Sequence, residues 1–184
     1  EVKLRRMSIP IQRIIKNKQV MHLANNPMLF TMMDTNPTET QALNFITFKQ
    51  YWNLRNQDGM KVKMVDAQKS YGDAGLLYYF DYKGRIKSRL LSYEDGYILC
   101  PHNDDNGDRI LEAVYYKSGD QEYIDAYDDE YMYRWVKKDG ESSEKNGWKF
   151  EGQEKHGFSE IPLVTKRGKV AWDAVQTLIE VYEE

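Results

Sequence analysis

The stretch "LLYYFDYKGRIKSRLLSY", Leu76–Tyr93, decides how this chain folds. Before it, apolar residues recur at three- and four-residue intervals; from it onward they alternate, or run in short blocks split by turn residues. Leu76–Tyr82 and Arg85–Tyr93 have the make-up of strands, and Lys83-Gly84 between them reads as the turn of a hairpin. A helical first part therefore gives way to strands near Gly75.

Reading backwards, "AQKSYGDAG", Ala67–Gly75, ends a helix that starts near Met60, with Gly72 in the left-handed capping position and Gly75 placed for close backbone approach. Pro37 and the box Thr38-x-x-Gln41 open another helix, with Ala42, Phe45, Ile46, Lys49 and Trp52 on one side and Lys49 at the margin. Ser8 and Pro10 open the first, striped by Ile11, Ile14, Ile15, Met21 and Ala24, and Asn25-Asn26-Pro27 stops it. "MLFTM", Met28–Met32, reads as a short extended piece.

Reading forwards, "YILC" and "RILEAVYY" flank "HNDDNGD", His102–Asp108, whose Asn106-Gly107 is a strong hairpin signal. "EYIDAY" and "EYMYRWVKK" form strands around Asp128-Asp129, and a polar loop, Asp139–Gly147, leads to "WKFEG". In "EKHGFSEIPLV", Glu154–Val164, Gly157 permits positive φ, and Pro162, lacking an N–H, opens a strand expected at a sheet edge. From Lys169, Val170, Ala171, Ala174, Val175, Leu178, Ile179 and Tyr182 stand at helical spacing. The expected class is α+β: N-terminal helices packed on a largely antiparallel meandering sheet of seven or eight strands, and a closing C-terminal helix. The expected extents, within a single domain, are about 8–72 for the helical part, 76–166 for the β-rich part and 169–184 for the last helix.

With 184 residues, 41% hydrophobic and 30% charged, the chain can bury a core, and no stretch reaches the ~20 apolar residues a bilayer requires. One cysteine, Cys100, excludes an internal disulfide and fits a cytoplasm-like compartment. A net charge of -3 argues against clamping of duplex DNA, which needs clustered Lys and Arg. The charge is uneven: "KLRRMSIPIQRIIKNK" is basic and "DQEYIDAYDDE", Asp120–Glu130, acidic, a pattern suited to head-to-tail contact between copies.

The search for chemistry yields no catalytic, cofactor-binding or metal-binding assignment. His102–Asp108 fails as a calcium loop, since an alignment on Gly107 puts His102 and Ala113 at ligand positions. Cys100 and His102 share a strand face, but Pro101 separates them and no third group orients the pair. His22 and His156 lack metal-ligand spacing, and "YGDAG" runs from helix to strand, the reverse of a phosphate cradle. One alternative survives as a reading: Asp125, Asp128 and Asp129, with Glu130, holding magnesium for nuclease chemistry, against the simpler role of solvating a turn and blocking edge pairing. Another is a β-rich interaction module that binds through exposed tyrosines.

Taken in order, "AQKSYGDAG", "LLYYFDYKGRIKSRLLSYEDGYILCPHNDD", "AVYYKSGDQEYIDAYDDEYMYRW", "KHGFSEIPLV" and "LIEVYE" resemble the portal proteins, or head–tail connectors, of long-tailed bacteriophages. The family's strand–loop–helix events match Ala113-Val114-Tyr115-Tyr116, His156-Gly157-Phe158, Ile161-Pro162-Leu163-Val164 and Leu178-Ile179-Glu180-Val181-Tyr182, and "ANNPMLFT" before the helix pair. Gly157 departs from the pattern, in which glycine more often follows the aromatic. The family's chains are longer, so the resemblance implies a fragment corresponding to the wing domain. It further implies a dodecameric homo-oligomeric ring at a capsid vertex of the virion, assembled in the bacterial cytoplasm. Its implied partners are terminase, capsid and scaffold proteins, head–tail adaptors, and double-stranded DNA passing non-specifically through a channel, with no membrane and no cofactor. Trp172 and the basic first helix are the interface expectations.

Overall fold

The computed structural model describes residues 10–138 and 147–177, the side chain of Lys138 excepted. Three helices come first: α1, Ile11–Ala24; α2, Glu39–Leu54; and α3, Gln57–Tyr71. Eight strands follow: β1 (Asp73–Phe80), β2 (Ile86–Leu91), β3 (Ile98–Asn103), β4 (Arg109–Ser118), β5 (Gln121–Tyr127), β6 (Tyr131–Lys138), β7 (Lys149–Lys155) and β8 (Leu163–Arg167). A 3-10 turn at Asp173–Val175 leads into α-helical backbone at 176–177, where the described residues end. The α+β class is as expected, and no helix among the described residues is long and apolar enough to cross a membrane.

Local signals act where the sequence puts them. Thr38 and Gln41 make the reciprocal capping box of α2, α1 ends with Asn25 as its cap, and Gly72 caps α3 at φ +90°. Asp81 accepts from the backbone N–H groups of Lys83 and Arg85 around Gly84, closing the β1–β2 hairpin. Asp104 does the same for Asn106 and Asp108 around Gly107 in the β3–β4 turn. Met28–Met32, read as extended, forms no strand.

The single meander is corrected to two antiparallel sheets. A small one is ordered β2-β1-β8 and a large one β3-β4-β5-β6-β7. β8 leaves the meander and returns to β1, so it lies at an edge, as Pro162 requires; the Pro162 carbonyl accepts from Tyr78 N–H at 2.9 Å and extends the ladder. α3 packs on the small sheet, and α1 and α2 pack on α3. The core lies between the sheets: Leu91, Leu99, Val114, Tyr127 and Leu163 are buried together, with Leu77, Tyr97, Met132 and Ile161 against them. Gly75 allows this approach. A Cβ there would stand 3.1 Å from Leu163 Cδ1 and from Leu99 Cδ1.

The helical faces differ from the expected ones. α1 turns Val20 and Ala24 inward, fixed by a Lys16–Asp66 ion pair at 2.9 Å and a Gln19 Nε2 bond to the Ala171 carbonyl at 3.0 Å. Ile11, Ile14 and Met21 are left exposed. α2 buries none of its residues: Phe48 and Trp52 ring Phe30, and Tyr51 donates to the Ile86 carbonyl, while Ile46 faces out. Specific polar anchors to neighbours, absent from any periodicity, set these rotations. The expected closing helix begins later than 169, after an irregular stretch and the 3-10 turn, with residues 176 and 177 already α-helical; Leu178–Tyr182 lies outside the described residues, as does Ser8.

Candidate functional site

The acidic run does not converge. Asp125 points into the core from β5 and is 4% exposed; Arg134 of β6 meets it with two bonds, Nε to Oδ1 at 2.7 Å and Nη2 to Oδ2 at 2.8 Å. The Tyr116 hydroxyl adds a third at 3.1 Å. Burial, then the Asp125 charge, pushes the Tyr116 phenol up to about 12, and burial likewise raises Tyr127. Asp128 sits in the β5–β6 turn, where it accepts from the Glu130 N–H at 2.8 Å, from the Tyr131 N–H and from the Tyr133 hydroxyl. Burial alone would raise this carboxyl, but the donors outweigh it and hold it low. Asp129 is exposed, and Glu130 pairs with Lys155. Glu122 meets Lys137 at 3.5 Å. Four of these five acids are thus bound locally, and among the described residues no group of His, Cys, Asp and Glu is arranged to hold a metal ion.

"EKHGFSEIPLV" becomes a strap between the sheets. Phe158 N–H donates to His156 Nδ1 at 3.2 Å, which makes Nδ1 the acceptor and leaves Nε2–H to donate to the Asp128 carbonyl at 3.1 Å. Both ring nitrogens are engaged, one toward its own loop and one toward the β5–β6 turn. Phe158 stacks on Phe80 at the end of β1, with centroids 4.7 Å apart. Gly157, at φ +80°, passes so close that a Cβ would lie 3.3 Å from the Phe80 ring. His156 and His22 are on separate elements, the loop after β7 and α1. Cys100 and His102 share the outer face of β3 and are exposed.

One polar cluster escaped the sequence reading. Glu112 of β4 is 1% exposed, between the sheets, where its Oε1 is contacted by Arg109 and accepts from the Thr165 hydroxyl. Arg109 also donates to Thr165 at 2.7 Å, joining β4 to β8. Glu112 Oε2 has no partner among the described residues. These residues line an open cleft of about 620 Å³ along with Asp129 and Glu160. The signal lay in the alternation: Glu112 interrupts the inward series ending Val114 and Tyr116, as Asp125 interrupts Tyr123 and Tyr127. An acid at an inward strand position needs a partner cation.

The outer face of the large sheet is a wide, largely apolar surface. Opposite the core, Ile98, Tyr115, Ile124, Trp135 and Phe150 stand in direct register, one from each strand. Trp148 packs edge-on to Tyr115, and Trp135 lies against Phe150. The sequence model of the family described as phage portal protein, SPP1 Gp6-like, matches residues 1–184, and the chain belongs to that family. No curated protein matches it.

Proposed function

We propose that the chain forms the wing part of a portal ring, a dodecamer at one vertex of a phage capsid. Through such a ring, terminase drives double-stranded DNA inward, and DNA leaves into the tail by way of adaptor proteins. The observation that carries this reading is the family match along residues 1–184. Two features support it. A net charge of -3 gives little affinity for phosphates, so a duplex slides past without being gripped. The ion pairs Asp125–Arg134 and Arg109–Glu112 and the His156 strap tie strand to strand and sheet to sheet, which suits a part that carries load. The nuclease alternative has no such support, since Asp125 is neutralised by Arg134 and Asp128 is engaged by its own turn.

Electron microscopy of the protein carrying this chain at its full natural length tests the proposal. A ring with a central channel is expected, and a monomer that persists at high concentration overturns it.

A further inference from the structure

Two unpartnered apolar faces lie at opposite sides of the layered body. On one side, α2 shows the solvent a stripe of Leu43, Ile46 and Leu54, which are 64%, 52% and 79% exposed. A helix with no buried residue gains little from its own chain and needs a surface to lie on. On the other side is the outer face of the large sheet. There the row Cys100–Ala113–Ala126, small in every member, runs beside Ile98–Tyr115–Ile124 on one flank and His102–Leu111 on the other.

Large rows on both sides of a small one make a groove. Its walls are four residues apart along each strand, about 13 Å, wide enough for an α-helix ~10–12 Å across. Ala126, 3% exposed, is its inner end, where Tyr133 of β6 reaches across to Asp128; the accessible floor is Cys100 and Ala113, and a helix enters it from the open sheet edge at β3.

The charges are complementary. Beside the groove, the β3–β4 turn presents Asp105 and Asp108, exposed and without an ion pair among the described residues. In the helical layer, α1 presents Arg13 and Lys18 in the same condition. The acidic run Asp120–Glu130 contributes less to this asymmetry than its sequence suggests, since Glu122, Asp125 and Glu130 are ion-paired within the chain. The hairpin tip does.

We infer that the occupant is a second copy of this chain: the Leu43–Ile46 stripe of α2 seats in the Cys100–Ala113–Ala126 groove of the next subunit, with the basic α1 near its acidic hairpin tip. Because the two faces are different and lie on opposite sides, the contact is heterologous and repeats from copy to copy. This rests on the ring reading above and names the surfaces that a ring would use.

Cys100, the sole cysteine, lies on the groove floor and reports directly. Cysteine is placed at Leu43, Ile46 or Leu54 in turn, all exposed positions, folding of each variant is checked by circular dichroism, and the assembled protein is oxidised mildly. At least one variant is expected to give a ladder of disulfide-linked multimers on a non-reducing gel, lost when Cys100→Ser is added. Ile46→Glu is expected to lower the mass seen by light scattering at least two-fold. Assembly without any bond to Cys100, or linked dimers that form equally well with Cys100→Ser, overturns this interface and leaves the ring reading standing. Protein that stays monomeric at every concentration overturns both.

Discussion

Replacing Arg134 by methionine isolates what the buried ion pair contributes. In the native chain Asp125 accepts three hydrogen bonds, two of them from the guanidinium. Arg134→Met removes both and leaves an ionised carboxylate, 4% exposed, with one phenol for company. Removing one partner of a buried pair costs about 3–5 kcal/mol. The Arg134 side chain is 37% exposed, so water reaches the vacated place and the cost falls to about 2–3 kcal/mol. For a urea m-value of about 2 kcal/mol per molar, the midpoint drops by about 1–1.5 M, measured by tryptophan fluorescence. Asp125→Leu combined with Arg134→Met removes both charges, and the double variant is expected within about 1 kcal/mol of the native chain. A single variant that loses under about 1 kcal/mol, or a double variant no better than the single, refutes the account of a desolvated carboxylate held by its cation.

Gly75→Ala brings a methyl group 3.1 Å from both Leu163 and Leu99, so the sheets must part slightly; a loss of about 1–3 kcal/mol is expected, read as a lowered Tm, and an unchanged Tm removes the close-approach argument. Alkali acts through Tyr116 and Tyr127. Their phenols are raised in the folded chain above the unfolded value of ~10, so the stability they confer is complete below pH 10 and is lost as pH climbs toward about 12. The urea midpoint should fall across that window by roughly 1 kcal/mol equivalent per unit, allowing for the partial exposure of Tyr116, and Tyr116→Phe should flatten the slope.

Much of the fold was legible because turns and caps are local. Thr38 and Gln41, Asn106-Gly107, Lys83-Gly84 and Gly72 each need only their neighbours to act, and Pro162 states its edge position by lacking a donor. What failed depends on distant partners. Alternation reads the same whether strands share one sheet or two, so nothing near Leu163 announces that β8 pairs with β1 and leaves β7 unjoined. The rotation of α1 is set by Asp66 and the Ala171 carbonyl, far along the chain from Lys16 and Gln19. Asp125 was noticed for its neighbours in sequence, although its partner is Arg134 across the ladder. Glu112, inward in the same way, went unremarked until Arg109 and Thr165 met it.

The return of β8 to β1 also sets an order of events during synthesis. Asp73 and Arg167, paired in the finished ladder, are 94 residues apart. A nascent chain forms its hairpins and helices early, since those close short loops, but one border of β1 stays bare until β8 leaves the ribosome. That border, Gly75-Leu76-Leu77, is apolar and, while unpaired, a ready template for a neighbouring chain. Products truncated before Leu163 will clump for this reason, and arrival of Leu163–Arg167 is the event that makes the newborn chain safe from its siblings.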